Sequence, residues 1–469
     1  MFFGGAMIAF LERINELVWG LPALLLILCV GTYLTVKTGF AQFRLFPEAL
    51  RSFLKPFSGK ANKTDRSKKQ ALCTALAATV GTGNLAGVAG AIALGGPGAV
   101  FWMWICALLG MITKLAEAAL AILYRKKLPD GHFLAGPMYM IQATMKRKWH
   151  WLGFCYAFFG VVASFGVGNS TQINTVVDGI DSALELFGVP LGTGFRLGIG
   201  VFLALIVYRI LSKGVSGIGK ATEKLVPVAA AFYIVLAAVA ITMRFEQIPY
   251  ALNAIVTGAF SPGAVTGGAV GSVFIVLRIG AARGVFTNEA GMGTASMAHA
   301  EADVSDPVEQ GLMGIIEVFI DTILICTLTA LVILCSGVPI SFGVDIGIRL
   351  TTQAFVDIFG SWVSIFISVA LCLFAFATVL GWGCYGLQCA RYLFGKGAAK
   401  RFVLLQAVTV ALSAVLNTST LWLLAEILNG LMAIPNLIVL AGLCPQLCDM
   451  IKCHLYKQVA PDQSFSVTV

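Results

Sequence analysis

Five consecutive residues, Val80-Gly81-Thr82-Gly83-Asn84, interrupt a long apolar run from Ala71 to Gly110 and carry the groups best able to bind a ligand there. Two glycines in three residues weaken the helical hydrogen-bond ladder, and Thr82 and Asn84 bring polar side chains to membrane depth. In hydrocarbon a freed backbone N–H or C=O costs several kcal/mol unless something satisfies it. Loosened backbone is therefore tolerated where it lines a cavity. Half-helix N-termini then offer amides to a carboxylate, and half-helix C-termini offer carbonyls to a cation. The competing reading is a Gly-rich helix packed closely on a neighbour through small residues.

Further polar residues inside apolar stretches need partners. Lys114 and Glu117 lie one turn apart and suit a local pair. Glu317 and Asp321 share a helical face, a spacing that suits proton relay, cation binding or plain packing beside basic neighbours. Asn169 and Gln172 suit either a substrate or hydrogen bonds between helices. Thr378 and Trp382, four residues apart, place a hydroxyl fit for a hard alkali cation one turn from an indole that can wall a small pocket; a back-bonded Thr beside a core Trp is the alternative.

The elements that must position these residues are membrane helices. Of 469 residues 58% are hydrophobic and only 12% charged, against roughly 25% charged in soluble proteins. Segments of about 20 apolar residues predict eleven spans, near 16–36, 71–96, 100–124, 151–178, 194–212, 222–243, 267–288, 311–336, 359–388, 400–418 and 421–450. Pro435 and Pro445 interrupt the last. The net charge of +9 has a topological cause. Basic residues collect at 37–69 (Lys60 among them), 125–148, 209–224, 391–401 (Lys396 among them) and 452–457. By the positive-inside rule this places the N-terminus outside and the C-terminus in the cytoplasm, and no nucleic-acid partner is needed to explain the charge. Met1 to Phe10 shows no basic n-region or cleavage site. The twelve cysteines are scattered and read as small apolar residues, with no metal or disulfide framework. Gly131 to Trp149 reads as an amphipathic interfacial segment, and Ile248 to Gly263 and Asp345 to Asp357 as external connections.

Spans two to six and seven to eleven form two groups of five, the arithmetic of an inverted repeat. The organisation predicted is a leading helix and basic segment (1–70), a first repeat (71–243), an external connection (244–266), a second repeat (267–450) and a tail (451–469). Span seven should then be interrupted like span two. Gly267, Gly268 and Gly271 lead into it, and Arg278 and Arg283 within it should face protein, water or a carboxylate. The turn Thr287 to Gly293 suits an inner gate, or a simple helix cap at Gly291.

Gly95-Gly96-Pro97-Gly98-Ala99-Val100-Phe101-Trp102-Met103-Trp104, the GTGN break at Gly81–Asn84, Ala282-Arg283-Gly284 to Gly293, Gly136-Pro137-Met138-Tyr139 and Leu373 to Trp382 resemble blocks of the alanine or glycine:cation symporter family of prokaryotes. The resemblance implies an all-α, LeuT-like fold of five-plus-five inverted repeats with one extra helix in front, in the inner membrane. It implies symport of alanine or glycine with Na+ by alternating access. Thr82 and Gly83 would hold the substrate carboxylate. Gln172, the backbone at Ile279 and Gly280, and Trp382 would line the pocket. Sodium would sit between the carbonyls of Ala77 and Val80 and the Thr378 hydroxyl. Ala377-Thr378 stands where the family has two threonines, which weakens a sodium site or leaves room for proton coupling. Neither an enzyme nor an obligatory protein partner is implied; a channel and a non-transporting sensor are the rival classes.

Overall fold

The computed structural model describes residues 2–57, 62–129, 131–185, 188–189, 192–344, 347–395, 397–416 and 419–459. Lys60, Lys396, Asp345 and the tail beyond residue 459 lie outside the described residues.

Helices dominate. The first part holds α1 (Phe2–Val18), α2 (Leu21–Lys37), the short α3 (Ala41–Arg44), α4 (Phe46–Leu54), α5 (Lys63–Thr79), α6 (Val88–Gly95), α7 (Gly98–Tyr124) and α8 (Pro137–Thr144). There follow α9 (Trp151–Phe165), α10 (Thr171–Glu185), α11 (Thr193–Leu211), α12 (Gly214–Met243), α13 (Ile248–Phe260) and α14 (Pro262–Thr266). The last part comprises α15 (Val273–Asn288), α16 (Ala295–His299), α17 (Pro307–Val318), α18 (Thr327–Ser336), α19 (Ile348–Phe359), α20 (Val363–Phe394), α21 (Ala398–Ser413), α22 (Ser419–Gly442) and α23 (Cys444–Val459). Three wide π-helical turns, Gly83–Gly87, Gly166–Ser170 and Phe319–Cys326, join α-helical segments.

Local chemistry explains where helices begin and end. Asn62 and Asp65 form a reciprocal capping box at the start of α5, satisfying amides the helix itself leaves open. Asp306 caps α17 through Val308 N–H with Pro307 in the first turn, where a missing N–H costs nothing. α22 runs through Pro435 and ends at Gly442, after which the chain bends by 60° into α23. The interruption of the last span thus falls beyond Pro435, and Pro445 sits harmlessly in the first turn of α23.

Among the described residues seven helices are long and apolar enough to cross a membrane, or nine if each bent pair is one span. Eleven crossings are not matched by that count. The shortfall lies at α15 and α21, both 16 residues long, below the about 20 that a crossing needs. The 248–263 connection is helical in α13 and α14, and α19 occupies much of 345–357. Within the segment 131–149, α8 is buried against the rest of the protein from Pro137 to Ile141.

α7 packs along α15 and α17, while α5 packs against α12 and α20. Glycines permit the closest approaches. A Cβ on Gly381 of α20 would meet the Ala78 amide nitrogen of α5 at 2.6 Å, so the two helices touch nearly backbone to backbone at the level of the first break.

Candidate substrate and ion site

α5 stops at Thr79, Val80 is extended (ψ 96°), and the chain resumes as the π turn from Gly83 after a bend of 51°. The hydrogen bonds show what this frees. Gly81 N–H, which in a continuous helix would donate to Ala77 O, donates to Asn84 Oδ1 at 2.8 Å. Asn84 N–H, the helical partner of Val80 O, donates to Gly81 O at 3.3 Å. Among the described residues, therefore, neither the Ala77 nor the Val80 carbonyl receives its helical amide. Thr378 stands beside them: a Cβ on Gly81 would lie 2.5 Å from Thr378 Oγ1. Carbonyl and hydroxyl oxygens are the donors a hard cation takes, and in this structure the Thr378 hydroxyl donates to Phe374 O at 3.1 Å.

Gln172 closes the other side. Its Oε1 accepts from Thr82 Oγ1 at 3.1 Å, and its Nε2 donates to Val167 O at 3.1 Å. Asn169 instead donates to Gln406 O and ties two helices together. Trp382 is fully buried against Gly168, whose Cβ would fall 2.3 Å from that of the indole residue. Ala77, Val80, Thr82, Gln172, Thr378 and Trp382 are all buried and Gly83 is half-buried.

Ile279 and Gly280 are not at a break. α15 is continuous from Val273 to Asn288, and Gly280 packs on α7, where a Cβ would lie 2.4 Å from Ala99 O. Their backbone groups are spent in the helical ladder, because three preceding glycines end α14 and start α15 without loosening its middle. Ile279 lines a cavity of about 230 Å3 with Arg278, Arg283, Phe286, Glu16 and Glu426; of the two intrahelical arginines Arg278 is exposed and Arg283 half-buried. The second interruption comes later, at Glu289–Thr294, before α16.

That interruption is held by acids. Glu289 caps α15 in the left-handed conformation (φ 54°), followed by Gly291 (φ 92°) and Gly293 (φ 77°). For a residue with a Cβ this conformation costs roughly 1–2 kcal/mol. Glu117 Oε1 accepts the Gly291 and Gly293 amides, both at 3.0 Å, and Asn436 Nδ2 at 2.8 Å. Lys114 pairs not with Glu117 but with Glu317, at 2.8 Å, and His299 Nε2 lies 2.9 Å from the other Glu317 oxygen. Glu317 and Asp321 thus serve different neighbours.

Asp321 links the two interruptions. Asn84 Nδ2 donates to its Oδ1 at 2.7 Å and Thr322 Oγ1 to its Oδ2 at 2.8 Å. Asn288 Nδ2 donates to Thr322 Oγ1 at 3.2 Å, and Ala290 N–H to Asn288 Oδ1 at 2.9 Å. Every donor along this chain points toward the carboxylate. The π turns that supply Asn84 and Asp321 touch each other, and the third touches α20, in keeping with the use of π turns at functional sites.

A model described as the sodium:alanine symporter family matches residues 5–466. The chain belongs to that family. The sodium/alanine symporter AgcS of Methanococcus maripaludis is 40% identical over 436 residues, 92% of this chain and 93% of that protein. An uncharacterized transporter of Haemophilus influenzae is 41% identical over 92% of this chain and 93% of its own length. The probable sodium/glutamine symporter GlnT of Bacillus subtilis is 37% identical over 91% and 86%. The crystal structure of MhsT in complex with L-phenylalanine superposes with a TM-score of 0.57 at 15% identity, covering 80% of this chain and 88% of that one. That likeness is one of fold, which is LeuT-like. As a member of the sodium:alanine symporter family this chain is a multi-pass membrane protein of the amino-acid:cation symporter class and not an enzyme.

Within this symporter, Glu117, Asn288, Glu289 and Thr294 take up roles that spacing alone did not assign. The glycines at 291 and 293 marked the second loop. Nothing local in the sequence indicates that a carboxylate from α7 caps it.

Proposed function

We propose that the protein carries small neutral amino acids, alanine and glycine first, into the cell together with Na+ by alternating access. The observation that supports this best is the first break, where amides, freed carbonyls and the Thr378 hydroxyl meet within one buried site. The Thr82 and Gly83 amides, at the N-terminal end of a half-helix, hold the substrate carboxylate. The ammonium is received by the C-terminal carbonyls of α15. Thr287 of that turn packs on Gly83, its Cγ2 lying 3.2 Å from a Cβ placed there, and a helix C-terminus favours positive charge. Gln172 orients the substrate and Trp382 limits its side chain. Na+ lies between the Ala77 and Val80 carbonyls and Thr378. Binding there draws α5 and α20 together, and coupling follows if Na+ prefers one conformation, since equal affinity shifts nothing.

The relatives' names include both alanine and glutamine carriers, so the preference for alanine rests on the fully buried Trp382. Purified protein in liposomes should accumulate labelled alanine when an inward Na+ gradient is imposed, and leucine should compete poorly. Accumulation driven by a pH gradient without Na+ would replace the coupling ion. That second reading is favoured by Asp321, a fully buried carboxylate whose two oxygens are met by neutral donors.

A further inference from the structure

Glu289 is one of two non-glycine residues with positive φ among the described residues. It occupies the position after a helix where glycine is the usual choice, because glycine adopts the left-handed conformation without steric cost. A glutamate held there needs a reason other than the backbone, and its side chain supplies one. Oε1 accepts the Trp382 indole N–H at 2.9 Å, and Oε2 accepts the Thr294 hydroxyl at 2.6 Å. The carboxylate is buried, with 4% of the residue exposed, so neither bond is shared with bulk solvent. The loop carrying it is pinned from the opposite side by Glu117 at the Gly291 and Gly293 amides.

The indole is thus fixed at both ends. Its Cβ end is pressed on Gly168, two residues before Ser170 and four before Gln172, and its N–H end is held by Glu289. Thr378 lies one turn before Trp382 on α20 and faces Gly81. Trp382 thus shares a helical face with Thr378 and abuts the segment that carries Gln172.

We infer that Glu289 is a positioning residue that sets substrate size: its carboxylate holds the Trp382 indole in the plane that excludes larger side chains. This rests on the reading of Trp382 as the wall of the amino-acid pocket. The second break then belongs to specificity as well as to movement, since any change in its backbone shifts the acceptor that orients the wall.

The test compares variants in proteoliposomes by the ratio of Vmax/KM for alanine to that for leucine. Glu289→Gly suits the left-handed backbone and removes the acceptor; the ratio should fall by about tenfold, chiefly through faster leucine uptake, the low end of what a pocket gains from rejecting one methylene. Glu289→Gln keeps a carbonyl oxygen for the indole and should stay within about threefold of the parent, whereas Glu289→Met, of similar bulk but without an acceptor, should behave like Glu289→Gly. The Gln and Met variants share the same backbone strain, so their contrast stands even if the glycine variant folds differently. Equal selectivity in the Gln and Met variants overturns the inference. Trp382→Phe separates the two levels of the argument. If it relaxes selectivity while Glu289→Met does not, the inference falls and the symport reading stands. If the parent protein accumulates no alanine, the symport reading itself falls.

Discussion

At Val80 and Gly81 the chain leaves helical geometry for two residues and satisfies its loose amide with its own Asn84. At Glu289–Thr294 it leaves for six residues and relies on Glu117, a carboxylate borrowed from α7. The first interruption leaves the Ala77 and Val80 carbonyls without their helical amides. The second already contains the anion its amides would otherwise attract. An unwound helix is therefore not a binding site by itself; what matters is whether the protein's own groups saturate it. Here the two are joined through Asp321 by a continuous chain of five hydrogen bonds.

That contrast can be broken most forcefully at Glu117. Replacing it by Ala leaves two backbone amides without an acceptor, each worth about 1–3 kcal/mol when buried, and leaves Asn436 Nδ2 with Gly291 O alone. The melting temperature in detergent should fall steeply, and Glu117→Gln, which retains an acceptor oxygen, should lose much less. A tolerant Glu117→Ala protein would show that the second interruption is not held as described. Next comes Gly81→Ala. Its methyl would lie 2.5 Å from Thr378 Oγ1, and the overpacking, about 1–3 kcal/mol, should cut alanine uptake by up to about 100-fold with the fold retained. Thr378→Ala removes one oxygen from the proposed ion site. The Na+ concentration for half-maximal uptake should rise by about tenfold, or about 1.4 kcal/mol, with a smaller change in the KM for alanine; an unaltered Na+ requirement would count against the assignment.

The smallest effect is expected far from both interruptions. His454 of α23 lies between Asp306, at 3.0 Å, and Glu48, at 2.9 Å. Burial pushes the Asp306 carboxyl up, but the His454 hydrogen bond, the Val308 amide and the charges of His454 and Lys457 outweigh it and hold the carboxyl below its ordinary value. A carboxyl lowered on folding stabilises the protein above its unfolded pKa of about 4, and that contribution is lost as the pH falls through the lower folded value. Asp306→Asn should remove this acid-side dependence, with a loss under about 1 kcal/mol at neutral pH once solvent screening is counted. Thermal unfolding at pH 7 and at pH 3 to 4 checks it, and the Na+ and alanine requirements should not move.

The first interruption was legible because glycine spacing acts locally: Gly81 and Gly83 weaken the ladder wherever they stand, and Asn84 is close enough in sequence to fill the gap. The pairing of Thr82 with Gln172 needed the fold. The second interruption was expected in the right helix but too early. Gly267, Gly268 and Gly271 precede α15, and Gly280 inside it is explained by close packing on Ala99 rather than by unwinding. Whether a glycine loosens a helix or lets a neighbour approach depends on what lies opposite, which one sequence does not record. The partners of Lys114 and Glu117 were misjudged for a related reason. Spacing along a helix favours a local pair, but Glu317, 203 residues away, offers Lys114 the shorter bond.

The three π-helical turns have a consequence for how this chain tolerates changes in length. Such a turn accommodates one surplus residue while the helical segments on either side keep their facing. Losing a single residue between Phe319 and Cys326 would let that helix close into regular α geometry with Thr327–Ser336 still directed inward. The same loss a turn or two away would swing everything beyond it by about 100°, turning buried side chains toward lipid.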